Sequence, residues 1–202
     1  MSLNQVVLKD MLSIVAITLT FIGYIPYIRD IFSKKTKPHM YTWLVWWLFT
    51  AVVFFFQYAN GGGGGSWVTG CAACVCLYIF VLSFRYGTRD VTIVDKSFLV
   101  VSLFIWVVWF FTSDPVLTTI LLCCADIFGF VPTIRKSWKN PYEETLSSYA
   151  INSVRFLIAI YVLQQYNIIT LFYPVSWMFA NGLFALFLVW RRQVVVNKNL
   201  KS

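Results

Sequence analysis

The sequence contains one apolar segment twice, and this duplication is its strongest constraint on the fold. Residues 22–29 read IGYIPYIR, and residues 128–135 read FGFVPTIR. The offset of 106 residues between Gly23 and Gly129 also pairs Trp67 with Tyr173 and aligns basic residues near the ends of both copies. An apolar segment that recurs at a fixed offset indicates an internal duplication.

Composition places the chain in a lipid bilayer. Hydrophobic residues make up 59% of the 202 positions and charged residues only 12%, whereas about 25% of a soluble domain is charged. We therefore predict an all-α integral membrane protein in contact with the lipid bilayer. The net charge of +8 would suit a nucleic acid only if the basic residues shared one soluble face. They are spread between the apolar segments instead, so no nucleic-acid partner is predicted.

Seven apolar segments are long enough to cross a hydrocarbon core as helices, which takes roughly 20 residues. The predicted transmembrane helices lie near residues 8–29, 40–59, 67–86, 94–112, 116–135, 147–165 and 168–190. Lys and Arg residues follow every odd-numbered span, whereas residues 60–66, 112–115 and 164–167 contain none. By the positive-inside rule, the N-terminus is predicted outside and the C-terminus in the cytoplasm.

The order of these spans determines how the two copies are oriented. Residues 1–90 form a first three-helix repeat, residues 91–113 a linker helix, and residues 114–202 a second three-helix repeat with a cytoplasmic tail. Three crossings would invert a second copy that followed directly, and the fourth span restores the orientation of the first. The sequence therefore predicts a 3+1+3 parallel repeat with its axis along the membrane normal, an arrangement known among transporters.

The chain resembles the PQ-loop superfamily, which includes SWEET sugar transporters and cystinosin-like lysosomal exporters. The resemblance lies in this layout and in the segments Gly23 to Arg29 and Gly129 to Arg135. The resemblance implies small-solute transport by alternating access. In cystinosin-like members, an acidic residue near the fifth-span motif is tied to proton coupling, and Asp126 is similar in position. The SWEET Pro-Asn pair is not matched, because the nearest places read Pro174-Val175 and Ala180-Asn181.

Two charged residues, Asp126 and Arg155, lie inside predicted spans. A lone charge there is unfavourable by about 2.5–3.5 kcal/mol on insertion scales. At about 1.5 Å per residue, both lie roughly 10–13 Å from the cytoplasmic ends of their helices. A short connection joins the two helices, so we predict that Asp126 and Arg155 form an ion pair. The pair either locks two helices together or lines a pathway and is broken by substrate or a proton.

Further polar residues share the faces that carry these charges. Ser148, Asn152 and Arg155 lie on one face of the sixth span. The first copy places Thr20 and Trp46 at the positions of Asp126 and Asn152. A cavity between spans one, two, five and six would suit a small ligand with a polar end and an apolar or ring-shaped body. The predicted substrate-binding residues are Asp126, Arg155, Asn152, Trp46, Ser148, Thr20 and, more weakly, Asn181.

Each copy carries a glycine and a proline three residues apart near the cytoplasmic end of its first helix. Proline removes a backbone hydrogen bond and kinks its helix. The pairs Gly23 with Pro26 and Gly129 with Pro132 are therefore predicted either as static kinks or as hinges of a cytoplasmic gate.

Other features are interpreted without a binding role. His39 is expected to be solvated in a basic loop, and Glu143 with Glu144 to balance surface charge. Residues 61–65, five glycines, predict a flexible outside turn. Tryptophans toward segment ends, among them Trp43 and Trp177, are interpreted as interfacial anchors.

The leading hypothesis is a small-solute transporter. A membrane receptor or ligand-binding protein on the same fold is the first alternative, and a membrane enzyme or scaffold the second. No catalytic arrangement is recognisable, and the Cys71–Cys74 pair lacks further ligands, so no enzyme activity, metal or cofactor is predicted. Proton coupling and oligomeric state are left open. The short loops fit a bacterial inner membrane, and an organelle membrane is the alternative.

Overall fold

The computed structural model describes residues 3–111 and 114–199, with side chains given between residues 8 and 197 except for four positions. Within these ranges the chain is helical and contains no strand. A 3₁₀ turn at Pro141–Glu143 precedes the seventh helix. The α-helices are α1 Leu3–Phe32, α2 Met40–Ala59, α3 Gly64–Tyr86, α4 Ile93–Phe111, α5 Pro115–Phe128, α6 Val131–Lys139, α7 Leu146–Val162 and α8 Ile168–Asn199.

The helices confirm the membrane prediction at the level of length and composition. In the described part of the chain, five segments are long and apolar enough to span a bilayer: Met11–Phe32, Met40–Ala59, Gly64–Tyr86, Pro115–Lys139 and Ile168–Asn197. Helix α7 is a shorter apolar helix of 17 residues, and α4 has 19 residues. The chain is thus an all-helical integral membrane protein.

The two glycine–proline pairs behave differently. Helix α1 runs without interruption through Pro26. The span predicted over residues 116–135 is confirmed as one apolar segment, Pro115–Lys139. Its helix is interrupted where α5 ends at Phe128 and α6 begins at Val131, although Gly129 and Phe130 keep right-handed helical dihedral angles. Pro132 stands in the first turn of α6, where its missing N–H is tolerated, and its ring disfavours a helical carbonyl four residues earlier. The second copy therefore has a helix break that the first copy lacks.

The glycine run is packed, which corrects the expectation of a flexible turn. Gly63 has φ +58°, a left-handed conformation that favours glycine, and it precedes the first turn of α3. A Cβ atom at Gly64 would collide with Ser13, and one at Gly65 would lie 2.6 Å from the Leu163 side chain. The glycines allow α1, α3 and the end of α7 to approach closely.

For description, we call α1 to α3 one group of helices and α5 to α8 the other. Helix α3 contacts both α1 and α2, and α8 contacts both α5 and α7. The groups meet where α1 packs on α7 and where α2 packs on α5, while α4 covers α2 and α5. The core between them is strongly aromatic, with Trp43, Trp46, Phe49, Phe130, Tyr149 and Tyr173 all buried.

A glycine lies at each contact between the groups. The Cβ of an alanine at position 23 would lie 3.0 Å from Cγ2 of Ile151, and at position 129 it would lie 2.5 Å from Cγ1 of Val45. Real Cβ atoms do not approach other atoms as closely as the second distance. Position 129 must therefore be occupied by glycine for α2 and α5 to pack as they do.

We expect Gly129→Ala to destabilise the protein by about 1–3 kcal/mol, because it overpacks this contact. Gly129→Ala combined with Val45→Ala is expected to recover part of the loss, since the second change removes Cγ1 at 2.5 Å but leaves Cβ of residue 45 at 2.9 Å. Val45→Ala alone serves as the matched control. Thermal unfolding in detergent measures all three variants. Equal loss in the single and double variants would contradict the contact.

Candidate functional site

A narrow cavity lies where the two groups of helices meet. Its volume is about 30 Å³, and a cavity needs roughly 10–15 Å³ to hold one water molecule. Helices α1, α2, α3, α7 and α8 supply its walls. We call it the central cavity, and its lining residues are Tyr24, Tyr27, Trp43, Trp46, Thr50, Ala72, Cys76, Ser148, Tyr149, Asn152, Arg155, Phe156, Tyr173, Trp177 and Asn181.

Arg155 is the charged residue of this cavity, and its side chain is fully buried. Its Nε donates to Oδ1 of Asn152 at 3.0 Å, and Nη1 donates to Oγ1 of Thr20 at 3.3 Å and to the Val68 carbonyl at 3.4 Å. The guanidinium also lies 4.0 Å from the centre of the Phe156 ring. Every one of these partners is neutral.

Asp126 is buried beside the cavity but does not line it. Oδ2 accepts a hydrogen bond of 2.8 Å from Nε1 of Trp177, while Oδ1 has no hydrogen-bond partner among the described residues. The main-chain carbonyl of Asp126 accepts from Nε1 of Trp46 at 3.3 Å. The two indole rings, with centroids 5.1 Å apart, line the central cavity on the side of Asp126.

The predicted ion pair between Asp126 and Arg155 is wrong. Among the described residues, no carboxylate oxygen lies within 4.0 Å of the Arg155 guanidinium. The physical reason is the packing of α7 against α1 rather than against α5. Arg155 therefore faces Thr20, which stands 106 positions before Asp126 and occupies the same place in the first copy.

The other predicted binding residues divide into two sets. Trp46, Ser148, Asn152 and Asn181 line the central cavity. Thr20 lies outside the lining, like Asp126, and contacts it through Arg155. The predicted position of the cavity is also corrected, because α3 and α8 contribute walls where α5 was expected.

Several cavity residues were not predicted from the sequence. Trp43 and Trp177 are 2% and 5% exposed, so neither is an interfacial anchor. Tyr173 is also buried, and its hydroxyl lies 2.8 Å from Oγ1 of Thr50. A signal was available, since Tyr173, Trp177 and Asn181 recur at four-residue spacing on one face of α8.

A second polar cluster closes the end of the bundle that carries most of the basic residues, which we call the basic end. Lys136 and Glu144 form a buried ion pair. Tyr149 donates to Oε2 of Glu144 at 2.8 Å, and Nζ of Lys136 donates to the Lys37 carbonyl at 2.6 Å. Glu144 thus does not balance surface charge as expected, whereas its neighbour Glu143 forms a partly exposed pair with Lys37 at 2.6 Å.

His39 lies at the same end and is buried, which corrects the expectation of a solvated side chain. Its Nε2 lies 3.5 Å from Oδ2 of Asp95, which also accepts a 2.7 Å hydrogen bond from Arg135. Burial lowers the pKa of His39 to about 4, although Asp95 opposes the shift. His39 is therefore neutral at pH 7 and packs as part of the closed basic end.

A scan of family models and searches of curated proteins and of solved structures each found no match to this chain. The functional argument therefore depends on the central cavity, on the groups around Arg155 and on the relation between the two sets of helices.

We expect Glu144→Gln to destabilise the protein by about 3–5 kcal/mol, because it leaves Lys136 charged and buried without its partner. The adjacent Glu143→Gln is the matched control and should change stability by under about 1 kcal/mol, since the Glu143–Lys37 pair is partly exposed. The double variant Glu144→Leu with Lys136→Met should recover much of the loss. Thermal unfolding in detergent is the measurement. Similar losses for the two glutamates would contradict the burial of the Lys136–Glu144 pair.

Proposed function

We propose that this chain is a small-solute transporter built from two parallel three-helix repeats, in the manner of the PQ-loop superfamily that it resembles. The packing supports this layout. In each half, the third helix lies between the first and the second, as α3 does between α1 and α2 and as α8 does between α5 and α7. With α4 and α7 counted as spans, the chain crosses the membrane seven times, with its N-terminus outside and its C-terminus in the cytoplasm.

The contacts between the halves support a two-fold relation. Gly23 meets Ile151, and Gly129 meets Val45. The two glycines are 106 positions apart and so are Val45 and Ile151, so the contacts are equivalents of one another. Lys37 and Glu143 are also 106 positions apart and pair directly, as equivalent residues do when they lie on a two-fold axis.

The observation that carries the proposal is a cavity with a buried guanidinium between the two halves. Ionisable groups inside membrane-spanning segments typically mark substrate or ion pathways, and transporter sites lie where repeats meet. A space of about 30 Å³ is too small for an organic solute, so the walls must separate for binding. Such separation is what alternating access requires.

Hydrogen-bonding contacts bridge the two groups of helices at both ends of the bundle, and in this account we interpret the structure as an occluded conformation. At the basic end, Oγ1 of Thr36 lies 2.7 Å from Oγ1 of Thr145. At the opposite end, Nζ of Lys9 donates to the Leu163 carbonyl at 2.5 Å. Opening the basic end requires the loop after α1 to leave the loop before α7.

The glycine–proline pairs are the proposed hinges for that opening. The helix break between Phe128 and Val131 supports a hinge at Gly129 and Pro132. Gly23 and Pro26 hold the equivalent place in α1, where the Gly23 carbonyl accepts a hydrogen bond of 2.5 Å from Ser148. The short loops between helices fit a bacterial inner membrane.

A disulfide across the basic end tests the transport cycle. We expect Thr36→Cys with Thr145→Cys, in a protein whose five native cysteines are replaced by alanine, to form a cross-link on oxidation. A panel of sugars, amino acids, carboxylates and vitamins first identifies a solute that the uncross-linked protein carries into proteoliposomes. The cross-link should abolish uptake of that solute, and reduction of the disulfide should restore uptake. Each single variant under the same oxidant is the control. Saturable binding without any uptake in the uncross-linked protein would favour a receptor, and undiminished uptake after cross-linking would contradict the gate.

Asp126 is the proposed site of proton coupling. Its Oδ1 has no hydrogen-bond partner in the described structure, and its other contacts pass through two cavity tryptophans. Asp126→Asn keeps the shape but cannot exchange a proton, so uptake should lose its dependence on an imposed pH gradient. Asp114→Asn, a change in an exposed helix-capping residue, is the control. A wild-type response to the gradient in Asp126→Asn would remove Asp126 from the coupling role.

A further inference from the structure

The substrate class follows from the charge balance of the central cavity. We propose that the solute carried by this protein is a small organic carboxylate with a flat, ring-shaped apolar body, and that its carboxylate binds the guanidinium of Arg155. This inference rests on the proposed transport function and goes beyond it by assigning the chemistry of the solute.

Arg155 carries a charge that the described protein does not neutralise. Its three hydrogen bonds go to an amide oxygen, a hydroxyl and a main-chain carbonyl. All three come from Nε and Nη1, so none of them uses Nη2, the remaining terminal nitrogen. A buried charge is strongly unfavourable unless it is paired and hydrogen-bonded. Because no carboxylate of the described residues lies within 4.0 Å of the guanidinium, a bound anion would be its direct ion-pair partner.

A carboxylate fits this position better than a neutral group. Charge-assisted hydrogen bonds from a guanidinium to a carboxylate oxygen are roughly twice as strong as neutral ones, and the N–H groups of Nη2 are the donors that remain for such a bond. Nε and Nη1 are already held by Asn152 and Thr20. These bonds fix the plane of the guanidinium, so Nη2 is positioned before the ligand binds.

The rest of the lining selects the body of the solute. Trp43 and Trp46 have ring centroids 4.8 Å apart, and Trp46 meets Trp177 edge to face at 5.1 Å. Tyr24 and Tyr173 add two further rings to the walls. Such walls bind a flat ring by stacking and edge contacts, which add to the gain from burying the ring.

The polar groups of the lining argue against a sugar. Ser148 donates to the Gly23 carbonyl at 2.5 Å, Asn181 donates to the Trp177 carbonyl at 2.8 Å, and Thr50 lies 2.8 Å from the Tyr173 hydroxyl. A polyol would bring many hydroxyl groups into a space whose hydrogen-bonding groups are largely engaged. A carboxylate on a ring needs one strong polar anchor, and Arg155 provides it.

The test measures binding of matched acid and amide probes to the purified protein. The pairs are benzoate with benzamide, nicotinate with nicotinamide, and indole-3-acetate with indole-3-acetamide. Binding is measured by quenching of tryptophan fluorescence and by equilibrium dialysis. We expect at least one acid to bind saturably and its amide to bind about 10- to 100-fold more weakly, since a hydrogen bond to a charged group is worth about 1.5–3 kcal/mol. Equal affinity for acid and amide in every pair, or no binding of any acid, would overturn the inference.

Variants then locate the anion. Arg155→Gln should lose the preference for the acid, and Arg155→Lys should retain part of it. Because Arg155→Gln could fail to fold, Thr20→Asp provides a second route, since it places a carboxylate at a position that already accepts a bond from Nη1. Thr20→Asp should abolish acid binding while raising thermal stability. Thr20→Asn, similar in size but uncharged, should weaken binding less. Arg85→Gln removes a positive charge at the exposed end of α3 and should leave binding unchanged.

The outcomes separate this inference from the proposed function. Uptake of a neutral or cationic solute that survives Arg155→Gln would overturn the assigned anion class while leaving a transporter. Saturable acid binding that depends on Arg155 but is accompanied by no flux in proteoliposomes would support the anion site and overturn transport. Acid binding that is unchanged in both Arg155→Gln and Thr20→Asp would place the anion elsewhere and contradict the inference.

Discussion

The packing of α7 against α1 is the contact on which the rest of the structure depends. The two helices approach closely at Gly23, where an added Cβ would lie 3.0 Å from Cγ2 of Ile151. This packing brings Arg155 of one half against Thr20 of the other, rather than against the acidic residue on the helix before it in the chain. The central cavity, the unneutralised guanidinium and the aromatic walls all follow from this one choice of neighbour.

A guanidinium in such a place has to be supported by the surrounding residues. Asn152, Thr20 and the Val68 carbonyl accept its hydrogen bonds, and the ring of Phe156 lies beneath it. A cation over a desolvated aromatic ring gains about 2 kcal/mol. The basic end uses the opposite solution, since Lys136 has a carboxylate partner in Glu144. The contrast separates a buried ion pair at the basic end from a charge that we propose is available to a ligand.

Much of this arrangement could be predicted from the sequence. Apolar length predicted the helices, and helical spacing brought Ser148, Asn152 and Arg155 to one face, where the structure places them. Arg155 also meets Thr20, the residue that the 106-residue offset pairs with Asp126. The prediction failed in the choice of neighbouring helix. A short connection between α5 and α7 does not oblige them to pack together when α1 is available as a partner for α7.

The remaining errors have a similar cause. His39 and Glu144 lie in loops that sequence alone marks as polar and exposed, and only the meeting of two distant loops buries them. Trp177 was expected at an interface, but the partner of its N–H is a carboxylate on α5. The glycine run looked flexible because local sequence does not reveal that Ser13 and Leu163 pack against it.

Cross-linking of α7 to α1 tests the account most directly. An added Cβ at position 23 lies 3.6 Å from Cβ of Ile151, within the range of about 3.5–4.5 Å that disulfides require. In the cysteine-free protein, Gly23→Cys with Ile151→Cys is expected to cross-link within one chain on mild oxidation, whereas Gly129→Cys with Ile151→Cys is not. A cross-link in the second pair and none in the first would place α7 against α5 and contradict the account.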